Sequence, residues 1–177
     1  MDPAEVLDFW FRQPPKAWFT KDPAFDEEIR RRFLDAREAA LAGRLDAWLD
    51  TPRGCLAYIV LLDQFPRNMF RGDARAFAAD HLALAAARRL LAAGWDRAMT
   101  VDERTFAYLP FEHSERLEDQ DRCCELMQPL GDEVYRYALR HRDIIRRFGR
   151  FPHRNAALGR ASTPEEAEFL RQPGSGF

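Results

Sequence analysis

Apolar residues recur at intervals of three and four along most of the chain, the spacing that places them on one face of a helix. No segment shows the sustained alternation of apolar and polar residues that is typical of a strand. Helix starts are marked where a capping residue precedes proline and an apolar run follows. The pairs of this kind are Asp2-Pro3, Asp22-Pro23, Thr51-Pro52 and Thr163-Pro164. The pattern therefore predicts an all-α fold of roughly eight helices.

The connections between the predicted helices are short, so consecutive helices are expected to pack as antiparallel neighbours. We predict stacked helical hairpins of a tetratricopeptide-like type, although the regular period of roughly 34 residues is not present. The hairpins are expected to form a single domain over residues 1–177. The polar, glycine-containing stretch 171–177 is predicted to be a poorly ordered tail.

Prolines set several of the predicted helix ends, because proline lacks a backbone N–H and clashes with the preceding turn. An almost uniformly apolar run from Arg53 to Phe65 predicts a buried central helix that ends at Pro66. A second helix is predicted to end near Pro110. Asp73 is predicted to cap a long alanine-rich helix that reaches Gly94.

Aromatic residues crowd the N-terminal fifth of the chain. They could line a groove for a partner, although packing between short helices is the commoner explanation. Trp18 and Phe19 follow a pair of prolines and are too apolar for a solvated loop. We therefore expect both rings to fold back onto the core.

Composition and charge exclude several classes of function. The net charge is −2 and the sequence pI is near 6.1, so neither a nucleic-acid partner nor an anionic membrane is predicted. No apolar stretch approaches the ~18 residues that span a bilayer. The first residues contain no basic segment followed by an apolar run, and we predict a cytoplasmic protein.

Neither a metal nor a cofactor is predicted. The three cysteines cannot form a disulfide framework, and neighbouring Cys123 and Cys124 lack the spacing of a zinc site. Glu112 and His113 are adjacent, so on a helix their side chains diverge by about 100° and cannot share one ion. His81, His141 and His153 are isolated in sequence, so a structural role is expected for them.

Three polar clusters interrupt the apolar segments, each near a predicted helix end. If the hairpins stack, the ends of alternate helices lie on one side of the bundle, and the three clusters can meet there. They contain the predicted ligand-binding residues, which are Asp63, Gln64, Arg67 and Asn68 in the first, Glu112, His113 and Glu115 in the second, and Arg150, His153, Arg154, Asn155 and Arg160 in the third.

Two interpretations of these clusters remain open. In the first, arginine–carboxylate pairs satisfy the helix ends and join one hairpin to the next as a structural network. In the second, spare arginine donors face the carboxylate or phosphate of a ligand, and Glu112 or His113 acts as a base. The two interpretations do not exclude each other, because buried ionic networks occur both in structural and in functional sites.

The motifs that carry these clusters also resemble a known family. The runs Leu61-Leu62-Asp63-Gln64-Phe65-Pro66-Arg67-Asn68, Leu109-Pro110-Phe111-Glu112-His113-Ser114-Glu115 and Phe148-Gly149-Arg150-Phe151-Pro152-His153-Arg154-Asn155 are similar to the domain-of-unknown-function family number 924. Leu7-Asp8-Phe9-Trp10-Phe11, Trp18-Phe19 and Leu158-Gly159-Arg160 add to the resemblance, which spans about residues 4 to 171. It implies a helical, tetratricopeptide-like and mostly bacterial protein, and no established activity, cofactor or partner.

Three functions follow from these observations. The favoured one is the binding of a small acidic molecule or a peptide in a polar cleft, through Arg67, Arg150 and Arg154. The alternative is a hydrolase that uses Glu112 and His113 as acid and base. The third is a protein-interaction scaffold, in which the binding surface is aromatic and the polar clusters are paired among themselves.

Overall fold

The computed structural model describes residues 1–176, and the fold is all-α, with no strand among these residues. The α-helices are α1 (Pro3–Phe11), α2 (Pro15–Trp18), α3 (Pro23–Leu41), α4 (Pro52–Ile59), α5 (Phe65–Met69), α6 (Asp80–Ala92), α7 (Val101–Glu112), α8 (Leu117–Met127), α9 (Asp132–Phe148), α10 (Asn155–Leu158) and α11 (Pro164–Leu170). A π-helical turn at Val60–Gln64 joins α4 to α5. The prediction of an all-helical fold is confirmed.

The four capping residues that precede proline begin helices as predicted. Asp2 and Asp22 accept hydrogen bonds from backbone N–H groups of the first turns of α1 and α3, and Thr51 does the same for α4. Thr163 begins α11 with a reciprocal capping box, in which Glu166 accepts from the N–H of Thr163. These starts depend on contacts within one turn, which is why sequence alone identifies them.

The predicted helix end at Pro66 is wrong. The chain stays helical through Pro66, because the π-helical turn at Val60–Gln64 shifts the hydrogen bonds by one residue, with the N–H of Phe65 bonded to the carbonyl of Val60. Helix α7 includes Pro110 and ends two residues later at Glu112, which agrees with the predicted end near that proline. Proline costs a helix one hydrogen bond, and near a helix end that loss does not break the helix.

The predicted start of α6 is also wrong. Asp73 does not begin the helix, because a short 3₁₀ turn occupies Ala74–Ala76 and α6 starts at Asp80. The carboxylate of Asp80 receives a forked pair of hydrogen bonds from Arg67, both over 2.9 Å. We attribute the shifted start to this contact between distant segments, which a local capping rule does not include. Gly94, in the left-handed region with φ +67°, follows the helix as expected.

The described chain divides into two compact units. The first contains residues 1–71 and 75–110, and its core is aromatic: the rings of Phe33 and Phe65 lie 4.7 Å apart, and those of Trp10 and Phe106 5.4 Å apart. Trp18 folds back as predicted and donates its indole N–H to the carbonyl of Trp10 over 2.8 Å. The prediction is wrong for Phe19, which remains 70% exposed although its ring stacks on Phe106.

The second unit contains residues 72–74 and the chain from Phe111 onward. Asp121 near the middle of α8 pairs with Arg142 and Arg146 in the second half of α9, at 3.6 and 3.3 Å. Because a short connection joins the two helices, these pairs identify an antiparallel hairpin. Ile144, Ile145 and Phe151 form a small buried core of this unit.

Three other expectations stay predictions: a single domain over residues 1–177, the repeated stacking of hairpins, and a cytoplasmic location. Phe177, in the tail predicted to be poorly ordered, lies outside the described residues. Within that tail, the hydroxyl of Ser175 donates to the carbonyl of Leu170, and Arg140 donates to the carbonyl of Gly174. None of the described helices is both long enough and apolar enough to span a membrane.

Candidate functional site

The first predicted cluster lies in the first unit, on the π-helical turn and α5. Asp63 is fully buried, and its carboxylate accepts from the side-chain amide of Gln64 over 2.5 Å. Arg67 donates to the backbone carbonyl of Asp63 over 2.6 Å, and both of its terminal nitrogens donate to the carboxylate of Asp80. The guanidinium predicted to bind a ligand is thus held by carboxylates of the protein.

The neighbouring polar residues of this cluster converge on helix α3. Asn68 donates its side-chain amide to Asp26 over 2.7 Å, and Arg71 reaches the same carboxylate through two nitrogens at 2.5 and 2.9 Å. These bonds fix α5 to α3. For this cluster, the observed contacts match the structural interpretation, whereas the predicted ligand-binding roles of its members stay predictions.

In the second unit, Arg150 and Glu166 form a forked ion pair. The guanidinium donates through Nε and Nη2 to the two carboxylate oxygens, over 2.7 and 2.8 Å. Asn155 donates to the same carboxylate over 3.1 Å. These bonds, chiefly those of Arg150, lower the pKa of Glu166 to about 2, so the carboxylate is ionised at neutral pH.

A second forked pair joins Glu115 to Arg160. The two terminal nitrogens of Arg160 donate to the carboxylate over 2.8 and 2.9 Å, and its Nε donates to Asn155 over 3.0 Å. The backbone N–H of Phe151 also donates to Glu115, over 2.8 Å. Burial raises the pKa of Glu115, but these hydrogen bonds outweigh it, and the pKa lies below its usual range.

The two forked pairs share Asn155 and form one network. We call it the clasp, defined by Glu115, Arg150, Asn155, Arg160 and Glu166. It ties the loop before α8 to the segment after α9 and to α11. Because each carboxylate accepts from several donors, the clasp holds the backbone that carries Pro152, His153 and Arg154.

Glu112 lies beside His141 of α9. His141 Nδ1 is 3.4 Å from a Glu112 carboxylate oxygen, and both side chains are 5% exposed. The same Nδ1 lies 2.8 Å from the carbonyl of Tyr137, which can only accept, so this nitrogen carries the proton. His141 is isolated in sequence, but helix α9 places it against Glu112, a contact that sequence spacing does not give.

Two buried side chains surround Glu112. The thiol of Cys123 lies 3.9 Å from its carboxylate, and burial, with the charge of Glu112, raises the pKa of that thiol well above its usual range. Gln120 donates its amide to the backbone carbonyls of Glu112 and Ser114, over 2.6 and 2.7 Å. These bonds fix the turn that carries Glu112 and His113. The carbonyl oxygen Oε1 of Gln120 is buried and meets no donor among residues 1–176.

Two further imidazoles and one guanidinium lie around His141. The rings of His113 and His141 are 6.3 Å apart, and Arg154 donates to the backbone carbonyl of His113 over 3.0 Å. Burial lowers the pKa of His141 to about 3, Tyr137 opposes the shift, and the fields of His113, His153 and Arg154 add to it. We call His113, His141, His153 and Arg154 the histidine cluster.

The second and third predicted clusters thus meet in the second unit. Sequence reasoning missed His141, Cys123 and Glu166 as members. His141 follows Ala138 by three residues and precedes Ile144 by three, so it lies on the buried face of α9, and this spacing was the available signal. Within residues 1–176, no group of three or more His, Cys, Asp or Glu side chains is arranged to hold a metal ion.

Comparison with known proteins identifies the chain. Residues 6–174 match the model of a family described as "Bacterial protein of unknown function (DUF924)". The chain belongs to the DUF924 family. The resemblance found in the motifs is thereby confirmed. The search of curated proteins found no match.

The fold of this DUF924 chain is shared with a solved structure. That structure is titled "Structure of Protein of Unknown Function ATU0120 from Agrobacterium tumefaciens". The two sequences are 48% identical, the match covers 96% of each chain, and the TM-score is 0.92. At this similarity, the all-α architecture of the DUF924 chain agrees with that of an independently solved protein.

Proposed function

We propose that the second unit binds a small anionic ligand, a carboxylate or a phosphate, at the histidine cluster. The observation that carries the proposal is the gathering of His113, His153 and Arg154 around buried His141. His113 and His153 are half-buried, so they can meet solvent and the protein core at once. An anion at this place gains from the guanidinium and from any protonated imidazole, in surroundings that screen charge less than water does.

The proposal gives the other arginines a different task. Arg67 holds Asp80, Arg150 holds Glu166, and both pairs are forked. A ligand there would have to displace a carboxylate of the protein, which loses two charge-assisted hydrogen bonds. We therefore assign these two arginines to positioning. We assign ligand contact to Arg154 because of its position within the histidine cluster, where it donates to the carbonyl of His113 over 3.0 Å and its guanidinium lies over the ring of Phe151 at 4.6 Å.

A second candidate is an enzyme that uses Glu112 and His141 together. The observation in favour is the 3.4 Å separation between the Glu112 carboxylate and His141 Nδ1. A carboxylate at one ring nitrogen orients a histidine and fixes its tautomer, as general bases require. The predicted pair Glu112 and His113 stays a prediction beside it. It predicts hydrolysis of an anionic substrate that is lost in Glu112→Gln, whereas a binding protein shows no turnover.

Calorimetric titration tests the proposed binding. Phosphate, citrate and a short acidic peptide are titrated into the wild-type protein and into His153→Gln. Because His153 is half-buried, this variant is expected to fold, and its affinity should fall about tenfold, the loss of one charge-assisted hydrogen bond. His81→Gln is the matched control, since His81 is exposed in the first unit. Equal affinity in all three proteins, or no binding of any probe, would contradict the proposal.

A further inference from the structure

We propose that the turn around Trp18 and Phe19 is a docking surface for a short acidic peptide segment that carries an apolar side chain. We call this surface the aromatic patch, defined by Lys16, Trp18, Phe19 and Lys21. It lies in the first unit, whereas the histidine cluster lies in the second. The proposal therefore does not rest on the anion site, and the two can fail separately.

Phe19 is the apolar part of the aromatic patch. At 70% exposure it is the most exposed large apolar side chain among residues 1–176, ahead of Met1 at 52%. Its ring is nevertheless held in place: it stacks on buried Phe106 at an angle of 9° and 6.2 Å between centroids, and it lies edge-on to Trp18 at 6.5 Å. A partner that covers a ring already fixed in this way loses little free energy in ordering it.

Lys16 and Lys21 are the basic part of the aromatic patch, and the chain has no other lysine. Both are exposed, and neither ammonium group forms an ion pair or a hydrogen bond within residues 1–176. The hydroxyl of Thr20 donates to the carbonyl of Lys16 over 2.7 Å and closes the turn that follows α2. Because Lys16 precedes Phe19 by three residues on this helical turn, the two side chains lie on one face.

The carboxylates nearest in sequence have partners of their own. Asp22 caps α3 by accepting from the backbone N–H groups of Ala24 and Phe25. Asp8 pairs with Arg12 over 2.8 Å. The aromatic patch thus presents two ammonium groups beside an exposed ring, although the net charge of the chain is −2. The complementary partner is acidic and carries an apolar group.

The size of the patch favours a short segment over larger partners. A phenylalanine at this exposure offers roughly 100–170 Å² of apolar surface. A stable dimer buries about 800 Å² on each partner, so a second copy of the chain is not favoured. One ring with two lysines is also a weak membrane anchor, because stable anchoring needs a further signal. A segment with one apolar side chain and a few carboxylates matches the patch in size and charge.

Selection from a phage library of short random peptides tests the proposal on the full chain. Wild-type protein is the bait, and peptides that also bind Phe19→Ala are removed. The enriched peptides should combine acidic residues with an aromatic or aliphatic one. No enrichment over a control without bait would overturn the proposal. A basic consensus, or an acidic one without an apolar residue, would overturn it as well.

A fluorescein-labelled peptide from the selection is then titrated in an anisotropy assay. Phe19→Ala should weaken its binding about tenfold, and so should the double variant Lys16→Gln and Lys21→Gln. The loss in the lysine variant should largely vanish in about 1 M salt, which screens exposed charges. Tyr137→Ala is the matched control, because it removes an aromatic ring that is 47% exposed in the second unit. Equal affinity in all of these proteins would overturn the proposal.

Two further measurements distinguish the other occupants. Cosedimentation with vesicles of phosphatidylserine and phosphatidylcholine that is lost in Phe19→Ala would assign the aromatic patch to a lipid surface and overturn the peptide. Analytical ultracentrifugation tests a second copy of the chain in the same way. A dimer that dissociates in Phe19→Ala would likewise overturn the proposal. Because all the substituted side chains are exposed, the variants should unfold in urea as the wild type does.

Discussion

Glu115 is the residue at which the clasp is most directly tested. Its carboxylate accepts two hydrogen bonds from Arg160 and one from the backbone N–H of Phe151. In Glu115→Gln one oxygen becomes an amide donor and the charge is lost. One of the two terminal nitrogens of Arg160 then faces a donor instead of an acceptor. Each hydrogen bond to a charged group contributes about 1.5–3 kcal/mol. The side chains of Glu115 and Arg160 are 29% and 23% exposed, so water recovers part of the loss.

We therefore expect Glu115→Gln to lower the free energy of unfolding by about 2–3 kcal/mol. For a chain of this length the melting temperature should fall by about 4–12 °C. Glu118→Gln is the matched control, because its side chain and that of its partner Arg116 are 82% and 66% exposed. An exposed pair of this kind contributes less than about 0.5 kcal/mol.

The assay is urea unfolding followed by circular dichroism at pH 7 and at about pH 3. Glu115 has a pKa below its usual range in the folded protein, so its stabilising effect is present above the unfolded pKa of about 4.3. The effect is lost as the pH falls through the folded pKa. The difference in free energy of unfolding between wild type and Glu115→Gln should therefore be largest at pH 7 and become smaller towards pH 3. An equal loss of unfolding free energy in Glu115→Gln and Glu118→Gln, or a difference that does not change with pH, would refute the reasoning.

Three further predictions concern the core, the thiols and the second pair of the clasp. Phe106→Ala should cost about 3–5 kcal/mol because its ring is 1% exposed, whereas Phe19→Ala, at 70% exposure, should cost less than about 1 kcal/mol in the same urea assay. The buried Cys123 thiol, with its raised pKa, should react with an aromatic disulfide reagent only after denaturation, and rapid reaction in the native protein would contradict its burial. Arg150→Gln should return the pKa of Glu166 from about 2 towards its ordinary range. The stability that this carboxylate provides is lost as the pH falls through its folded pKa, so the acid-unfolding midpoint should move to higher pH. An unchanged midpoint would show that the ion pair with Arg150 is not the cause of the low pKa of Glu166.

Some features of the fold could be predicted because they depend on neighbours in sequence. Asp2, Asp22, Thr51 and Thr163 cap helices as expected, since each needs only the backbone N–H groups of the following turn. The prediction that a helix ends at proline was wrong at Pro66. It assumes a regular α-helix, and the π-helical turn before Pro66 changes the hydrogen-bond register on which that prediction depends.

The candidate site could be predicted only in part, because its contacts join distant segments. The motifs identified Glu115, Arg150 and Arg160 as charged residues at helix ends, but not which carboxylate each arginine would meet. The partners were decided by packing, which brings Glu166 of α11 to Arg150. Similarly, the pairing of His141 with a carboxylate depends on how α9 packs against Glu112 within the second unit. A pattern of apolar positions identifies the buried face of a helix but not the segment that packs against that face.

Glu166 couples the local unfolding of α11 to that of the segment around Asn155. The residue completes the capping box that starts α11, and the same carboxylate receives Arg150 and Asn155. A helix of seven residues is too short to persist on its own. Unfolding α11 therefore breaks the ion pair, and any displacement of the Glu166 carboxylate weakens both the ion pair and the capping box. In hydrogen exchange, the amides of α11 and of the segment around Asn155 should gain protection together, as one cooperative unit.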